Sequence, residues 1–247
     1  EEDNVQAAHW FRQAAEQDNT QAQWHLGVCY ENGYGVEKDE TQAAQWYRRA
    51  ARLGESLAQH SLGECYENGI GVKKDADQAA QWYRKSAEQD SSFGQYDLGR
   101  CYANGIGVER DLAQAVHWYQ KAADQGHAEG LASMALCYSE GRGVKKNAAE
   151  AARWFQRLAQ QNSPEAWYWL GRCYFGGWGV AEDNVQAAQW YRKAADQDYA
   201  EAQYQLGKCY YYGWGVKKNE TQGIRWYRQA AERGHAEAQL TLGERYY

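Results

Sequence analysis

The sequence predicts an all-α protein built as a solenoid of stacked helix–loop–helix repeats. Three series of residues carry this prediction, because each returns every 36 residues along the chain. They are the tryptophans Trp10, Trp46, Trp82, Trp118, Trp154, Trp190 and Trp226; the cysteines Cys29, Cys65, Cys101, Cys137, Cys173 and Cys209; and the glycine pairs Gly33/Gly35, Gly69/Gly71, Gly105/Gly107, Gly141/Gly143, Gly177/Gly179 and Gly213/Gly215. A fixed period of this length is typical of arrays whose repeats pack only against their neighbours.

The first helix of each repeat is illustrated by the repeat 19–54. Apolar residues recur there at helical spacing, which marks one buried face: Ala22, Leu26 and Tyr30. Gly27 follows the central leucine, and a small residue stands at its equivalent in every repeat, the exception to glycine being Ala135. We interpret this glycine as a place where the backbone of a neighbouring helix approaches closely, which offsets its helix penalty of about 1 kcal/mol.

A glycine loop and a second helix complete the repeat. Residues 32–36 contain two glycines around one other residue, a pattern typical of a tight passage with positive φ. Asp39 is the expected N-cap of the second helix, and Gln42 completes a capping-box pattern. The same pair recurs in every second helix, starting at Asp3. The buried face is then marked by Ala43, Trp46, Tyr47 and Ala50, and Gly54 ends the helix.

Extended along the chain, this pattern predicts about fourteen helices in a single array, 1–247. A half repeat with a second-type helix occupies 1–18, and a half repeat with a first-type helix occupies 235–247. Six full repeats lie between them, at 19–54, 55–90, 91–126, 127–162, 163–198 and 199–234. Neither end carries a polar capping helix, so we expect either a longer array or termini that associate end to end. Aromatic residues lie close to both ends: Trp10, Phe11, Tyr246 and Tyr247.

Composition excludes several classes of partner. The net charge of −6 argues against nucleic acid, whose binding depends on neutralised phosphates. No stretch approaches the roughly 18 apolar residues of a membrane span. One cysteine per repeat predicts a row of buried, reduced thiols, too far apart for disulfides and unable to converge on zinc. Reduced thiols favour the cytoplasm, but the chain starts without Met, so a processed start and a periplasmic or secreted location stay open.

The repeat motif now permits a comparison. Leu-Gly-x-Cys-Tyr-x-Asn-Gly-x-Gly-Val, then Lys-Asp, then Gln-Ala-x-x-Trp-Tyr-Arg-Lys-Ala-Ala resembles the Sel-one-like repeat (SLR) family, a relative of the tetratricopeptide repeats. The resemblance implies a right-handed α/α superhelix with the first-type helices on its concave side, and a non-enzymatic scaffold or adaptor role. It also implies that the disulfides of the family's cysteine-rich branch, with two cysteines per repeat, do not apply here.

The sequence shows no catalytic pattern. Its six histidines stand outside the usual metalloprotease and nucleophile motifs: His9, His25, His60, His117, His127 and His235. The glycine loops lack the Lys-Ser/Thr of a phosphate loop and follow the negative end of a helix dipole. We therefore expect no enzyme activity, no metal and no cofactor.

A binding surface is predicted from the positions that differ between repeats. One stripe of the first helix, illustrated by Gln21, His25, Val28 and Asn32, changes strongly while the core barely changes. We call it the variable stripe. It gains aromatic and basic residues between 167 and 214, the types enriched at binding hot spots. Partner contacts are predicted on the concave face at His25, Asp97, Arg100, Trp169, Arg172, Phe175, Trp178, Gln205, Lys208, Tyr212 and Trp214.

Alternatives remain open. The residues from 167 to 214 could be local variation of the core, with Trp178 and Trp214 packed over the loop glycines. A basic row on the second helices is interpreted as a solvated face with acidic partners: Arg48/Arg49, Arg84/Lys85, Lys121, Arg157, Arg192/Lys193 and Arg228. The leading function is a scaffold that binds a peptide or protein. Alternatives are a bacterial immunity or host-factor-binding protein that neutralises an effector, and a designed or trimmed scaffold without a natural ligand.

Overall fold

A computed structural model describes residues 2–247, apart from the side chain of Tyr246, and shows fourteen α-helices and no strand in that part of the chain. The helices are α1 (Glu2–Glu16), α2 (Thr20–Asn32), α3 (Glu40–Arg52), α4 (Ser56–Asn68), α5 (Ala76–Glu88), α6 (Ser92–Asn104), α7 (Leu112–Asp124), α8 (Ala128–Glu140), α9 (Ala148–Ala159), α10 (Pro164–Gly176), α11 (Asn184–Ala195), α12 (Ala200–Tyr212), α13 (Glu220–Glu232) and α14 (Ala236–Tyr246). Even-numbered helices are the predicted first-type helices. The all-helical prediction is confirmed.

The chain divides into two compact units, Glu1–Gly130 and Leu131–Tyr247, here called unit 1 and unit 2. In each unit, helices that follow one another in the chain pack together, as α4 does with α5 and α12 with α13. In unit 1 the first-type helices α4 and α6 also touch each other directly. Such nearest-neighbour packing is the contact pattern of a helical repeat array.

Side-chain caps explain where the second helices begin. Asp39 has an extended backbone, and its carboxylate accepts hydrogen bonds from the amides of Thr41 (2.9 Å) and Gln42 (3.0 Å). The equivalents that cap α5, α7, α9, α11 and α13 are Asp75, Asp111, Asn147, Asp183 and Asn219. The first helix differs from the prediction, because α1 already begins at Glu2 and Asp3 lies inside it.

The glycine inside most first helices accommodates an aromatic ring. A Cβ atom added to Gly63 would lie 2.6 Å from the ring of Tyr83 on the following helix, and one added to Gly27 would meet the ring of Tyr47. The predicted close approach of backbone is present at Gly99 and Gly207, where a carbonyl oxygen of the neighbouring helix would lie 3.2 and 3.1 Å from the added atom. The sequence did not indicate the tyrosine ring, which makes the closer contact.

The second glycine of a loop is where backbone meets backbone. Gly71 has φ +64°, and a Cβ atom there would lie 1.9 Å from the carbonyl oxygen of Glu40, at the start of the preceding second-type helix. The same relation joins Gly107 to Ala76 in unit 1 and Gly215 to Asn184 in unit 2. These loops therefore pack against the repeat before them within their own unit, and only glycine fits at that point.

The core consists of small and medium side chains from both helix types. Leu26, Leu62 and Leu98 are fully buried, together with the alanines and tyrosines of the second helices. The six cysteines are buried and free, as the sequence predicted. Burial raises the pKa of the thiols, to about 12 for Cys65 and Cys101.

Most of the repeating tryptophans lie at the edge of the core, whereas Trp154, which is 7% exposed, lies inside it. Trp46 is half-buried and Trp10 is exposed, although the sequence placed Trp46 on the buried face. The guanidinium of Arg49 lies 5.6 Å from the Trp46 ring centroid, and Lys85 lies 4.0 Å from that of Trp82. The indole is therefore covered by a cation, a favourable contact at a partly exposed site.

The basic row of the second helices serves packing between repeats. Arg48 donates a hydrogen bond to the hydroxyl of Tyr66 (3.0 Å), and Arg84 donates to Tyr102 (2.8 Å), in each case on the next first-type helix. Arg192 bonds to Tyr210 in the same way. The expected solvated face with acidic partners is present in part: Arg49 is exposed and pairs with Asp18 at 2.8 Å. Tyrosine hydroxyls and tryptophan rings are further partners of these cations, which the sequence did not indicate.

Candidate binding site

In unit 1, charged residues of the variable stripe are bound in ion pairs within the chain. Arg100 on α6 donates two hydrogen bonds to the carboxylate of Glu67 on α4, at 2.6 and 2.5 Å. The hydroxyl of Tyr83 donates a third to Glu67, at 2.7 Å. These bonds hold the pKa of Glu67 below its ordinary value despite partial burial. Paired charges of this kind present little binding capacity to a partner.

Asp97 belongs to the same network and is only 9% exposed. One oxygen accepts a hydrogen bond from Arg100 Nε at 3.0 Å, and the other lies 2.8 Å from His60 Nε2 on α4. Burial opposes ionisation, yet the contacts with His60 and Arg100 bring the pKa of Asp97 below its ordinary value. The sequence placed Asp97 and Arg100 on an open stripe. The structure instead uses them to join two first helices.

His25, the third predicted contact in unit 1, lies on α2. Its ring stacks on Phe11 of α1, with centroids 4.6 Å apart, and touches Trp24. Trp24 in turn donates a hydrogen bond to Ser61 at 3.2 Å. His25 is half-buried by these aromatic contacts. None of its ring contacts is with the Asp97–Arg100 network.

In unit 2 the same stripe carries aromatic rings around a guanidinium. Arg172 on α10 lies between the rings of Trp169 and Trp178, 4.9 and 4.8 Å from their centroids. Trp169 stacks in turn on Phe155 of α9, at 5.6 Å and an interplanar angle of 10°. Stacked aromatic and guanidinium groups of this kind are rigid, which favours their use as binding anchors.

Two pockets flank this cluster. The first, here called the apolar pocket, has a volume of about 340 Å³. Its walls come from the ends of α8, α9 and α10: Ser139, Glu140, Lys146, Ala148, Ala151, Phe155, Trp169, Cys173 and Trp178. Rings and small side chains form most of its surface, so a large apolar side chain fits its chemistry.

The second pocket, here called the cationic pocket, has a volume of about 250 Å³ and lies between α10 and α12. It is lined by Arg172, Phe175, Gly176, Trp178, Tyr191, Gln205 and Lys208. Lys208 also lies 5.6 Å from the ring centroid of Trp214. Within residues 2–247, neither Arg172 nor Lys208 forms an ion pair, so both charges face this pocket without an acidic partner.

A second group of rings borders the cationic pocket. Phe175 contacts Trp214 at 5.2 Å, and Tyr212 stacks on Trp214 at 4.7 Å. Tyr212 is 54% exposed and Trp178 is 47% exposed, so both offer free ring surface. Trp178 also covers Gly176, as the alternative interpretation of loop packing expected. Packing and exposure therefore coexist at this tryptophan.

Trp167 was included in the predicted aromatic region but is a core residue. It is 4% exposed, and its indole nitrogen donates a hydrogen bond to the carbonyl of Ala159 at 3.1 Å. In most other repeats a glutamine makes this bond, as Gln23 does to Ala15 at 3.0 Å, whereas Leu131 stands at this position in the repeat 127–162. The indole replaces the carboxamide because both present an N–H group eight residues after the accepting carbonyl.

The predicted contacts did not include several pocket residues. Among them, Phe155, Tyr191 and Ser139 occupy positions that the repeat pattern assigns to the core or to the end of a first helix. The available signal was substitution by position: Phe155 replaces a tyrosine, and Ser139 replaces the glutamate that Glu31 and Glu67 represent in unit 1. Both changes remove a polar group from the apolar pocket.

A cavity of about 530 Å³ in unit 1 lies between α3, Tyr66 and the loop that follows α4. Arg48 already bonds Tyr66 there, and the charged loop residues Lys73, Lys74 and Asp75 line it, so it is less suited to an apolar side chain. Among the described residues no cluster of His, Cys, Asp or Glu could hold a metal ion. Within the same residues, no helix combines the length and apolar character that crossing a membrane requires.

Comparison with known proteins agrees with the geometry. The Sel1 repeat family model matches residues 1–19, 20–55, 56–91, 92–127, 128–163, 164–199 and 200–235. A protective antigen of uropathogenic Escherichia coli with an SLR fold is 38% identical, with a TM-score of 0.92 over 96% of this chain. The match covers 51% of the antigen, so the chain spans about half of that protein. None of the curated proteins matches the sequence.

Two further solved structures bear on the fold. A Sel1 repeat protein from Oxalobacter formigenes is 32% identical, with a TM-score of 0.75, and the match covers 92% of this chain and 96% of that one. An immunity protein from Pseudomonas aeruginosa is 19% identical with a TM-score of 0.50, covering 86% and 80%, which shows the fold alone. Sel1 repeat proteins generally mediate protein interactions and are generally not enzymes. With repeats matched along almost its entire length, this chain belongs to the Sel1 repeat family.

Proposed function

We propose that this chain is a non-enzymatic interaction module that binds a peptide or protein segment across the apolar and cationic pockets of unit 2. The direct contacts are the residues of unit 2 that the sequence singled out: Trp169, Arg172, Phe175, Trp178, Gln205, Lys208, Tyr212 and Trp214. Asp97 and Arg100 act in the internal network of unit 1, and His25 packs on Phe11.

One observation carries this proposal. The variable stripe of unit 1 satisfies its own charges, whereas that of unit 2 leaves two cations and several rings open beside two pockets. Tryptophan and arginine dominate measured hot spots because they bury large areas and bond in defined directions. A ligand that filled both pockets would contact both kinds of group at once.

The test is selection of binders from a library of random displayed peptides on the immobilised chain. Selected peptides are then titrated by calorimetry against wild type and against Trp169→Ala combined with Trp178→Ala. We expect a loss of about 30-fold in affinity, which matches the roughly 2 kcal/mol of a hot spot. Trp10→Ala is the matched control, because Trp10 is an exposed tryptophan in unit 1. Equal affinity of the double variant, or an equal loss in the control, would contradict the proposal.

A further inference from the structure

The cationic pocket has an internal template within the same chain. In unit 1 the Glu67 carboxylate accepts hydrogen bonds from Tyr83 and Arg100. Three repeats further along, the residues at these positions are Phe175, Tyr191 and Lys208, all of which line the cationic pocket. The tyrosine and the cation are kept, while the residue that supplied the carboxylate is replaced by a ring.

The same comparison shows that the neighbouring carboxylates of unit 1 are also replaced in unit 2. Glu64 and Asp97 in unit 1 correspond to Arg172 and Gln205 in unit 2. In unit 1, Glu67 and Asp97 bind Arg100 and Glu64 lies beside His60. In unit 2, a phenylalanine, a glutamine and an arginine stand at the positions of these three carboxylates, and a lysine stands at that of Arg100. The unit 1 site is complete because it contains its own anions. The unit 2 site presents donors and positive charge without any carboxylate among the residues that line it.

The environment of the two cations raises their attraction for an anion. Arg172 and Lys208 are half-buried and held against aromatic rings, so water screens them less than it would on an open surface. The lining residues Gln205 and Tyr191 add an amide and a hydroxyl that can donate to a carboxylate. Hydrogen bonds between such donors and an ionised acid are shorter and stronger than neutral ones.

We propose that the cationic pocket binds an aspartate or glutamate side chain of the partner segment, in the place that the Glu67 carboxylate takes in unit 1. This inference rests on the proposed function, and it defines the partner as an acidic peptide. Trp178 lines both pockets, and neighbouring helices lie about 8–10 Å apart, so an apolar residue about three positions from the acid in an extended segment can occupy the apolar pocket.

The first experiment tests the pocket without an external ligand. Phe175→Glu restores a carboxylate at the position of Glu67, and Phe175→Gln is its uncharged control. We expect the Glu variant to unfold at a temperature at least about 2 °C above that of the Gln variant at pH 7. The difference should vanish when Lys208→Gln is added to both. A Glu variant no more stable than the Gln variant, or a difference that Lys208→Gln leaves intact, overturns the inference.

The second experiment reads the partner's chemistry directly. Peptides selected by wild type from a random library with blocked termini should be enriched in aspartate or glutamate. Arg172→Gln with Lys208→Gln should lose that enrichment, and Arg172→Glu with Lys208→Glu should favour lysine or arginine. Lys217→Glu with Arg225→Glu applies the same net charge change at exposed sites in unit 2.

The outcomes separate the two proposals. Selected peptides without acidic enrichment, or with the same enrichment in the Lys217–Arg225 control and the pocket variants, overturn the acidic partner while the interaction module stands. Selection that depends on a free C-terminal carboxylate also overturns it, since the proposed anion is a side chain. A library that yields no binder at all contradicts the interaction module and the inference together.

Discussion

At the scale of single residues, Glu67 and Phe175 show how one side chain decides whether the neighbouring donors are hydrogen-bonded within the chain. Both stand at the end of a first helix, at equivalent positions of their repeats. Glu67 occupies the donors of Tyr83 and Arg100. Phe175 occupies none of the corresponding donors and contacts Trp214 instead. Both repeats have the same helices, so the side chain at this position determines whether these donors are occupied within the chain.

Glu67→Gln should therefore destabilise unit 1. We expect the free energy of unfolding to fall by about 1.5–3 kcal/mol at pH 7, because the bonds from Arg100 are charge-assisted and partly buried. Denaturation in urea, followed by circular dichroism, measures the loss. Glu37→Gln, a change at an exposed glutamate, is the control and should have little effect.

The stability difference between wild type and Glu67→Gln should also depend on pH. Because the folded state holds the pKa of Glu67 below its ordinary value of 4.5, its stabilising contribution is complete above that pH. The contribution is lost as pH falls from 4.5 through the lower folded value. Wild type and Glu67→Gln should consequently differ at pH 7 and converge in strong acid. A constant difference down to low pH would mean that ionisation of Glu67 is not the cause.

Residue roles were predictable where a position repeats and were missed where a partner comes from another repeat. The burial of Asp97 depends on His60 and Arg100, and only the register of two neighbouring first helices brings those groups together. The spacing of residues along one helix does not predict that contact. The unit 2 residues could be selected because they break the repeat pattern at adjacent positions, although their role as partner contacts stays a prediction.

At the scale of elements, loop glycines such as Gly71 fix a repeat against the one before it within the same unit. Gly71→Ala should cost several kcal/mol, because its Cβ would meet the carbonyl of Glu40 and its φ is positive. Gly54→Ala is the matched control: φ is +95° there, but nothing lies within 4 Å of the added atom. We expect the control to lose only about 1–2 kcal/mol.

Chemical denaturation of the two glycine variants provides the measurement. Equal losses would show that backbone conformation alone matters and that the contact with Glu40 contributes nothing. The position and type of the helices themselves were predictable, since caps such as Asp39 and glycine terminators stand in the sequence. The packing of the Tyr83 ring on Gly63 was not predictable, because the sequence shows the small residue without showing which side chain covers it.

At the scale of the whole molecule, the cysteines provide one native reporter per repeat. All six are buried and their thiol pKa values are raised. Those that line neither pocket of unit 2, such as Cys65, Cys101 and Cys209, should therefore meet a thiol reagent only when their repeat opens. Gly71→Ala should speed the labelling of Cys65 and Cys101, about fivefold or more for each 1–2 kcal/mol lost. Cys173 and Cys209 should label at wild-type rates because stability in an array is largely local. Mass spectrometry of labelled peptides measures each rate.

Uniform acceleration at all six cysteines would contradict local stability and indicate one cooperative unit. The repeat number and helical class were predictable at this scale because period and patterning are properties of the whole sequence. The identity of the partner was not, because a repeat can exchange its outward side chains without changing how it stacks.

The bond that Trp167 makes to Ala159 has a consequence for engineering and for surveys of such proteins. The position holds a side chain that is long enough to reach the carbonyl and that has an N–H group to donate to it. A glutamine amide supplies this group in other repeats and an indole supplies it here. A count of the aromatic residues in a repeat therefore overestimates the aromatic surface that is exposed for binding. Designers who graft a binding surface onto these repeats can therefore leave Trp167 out of any surface redesign, because it is a buried packing residue.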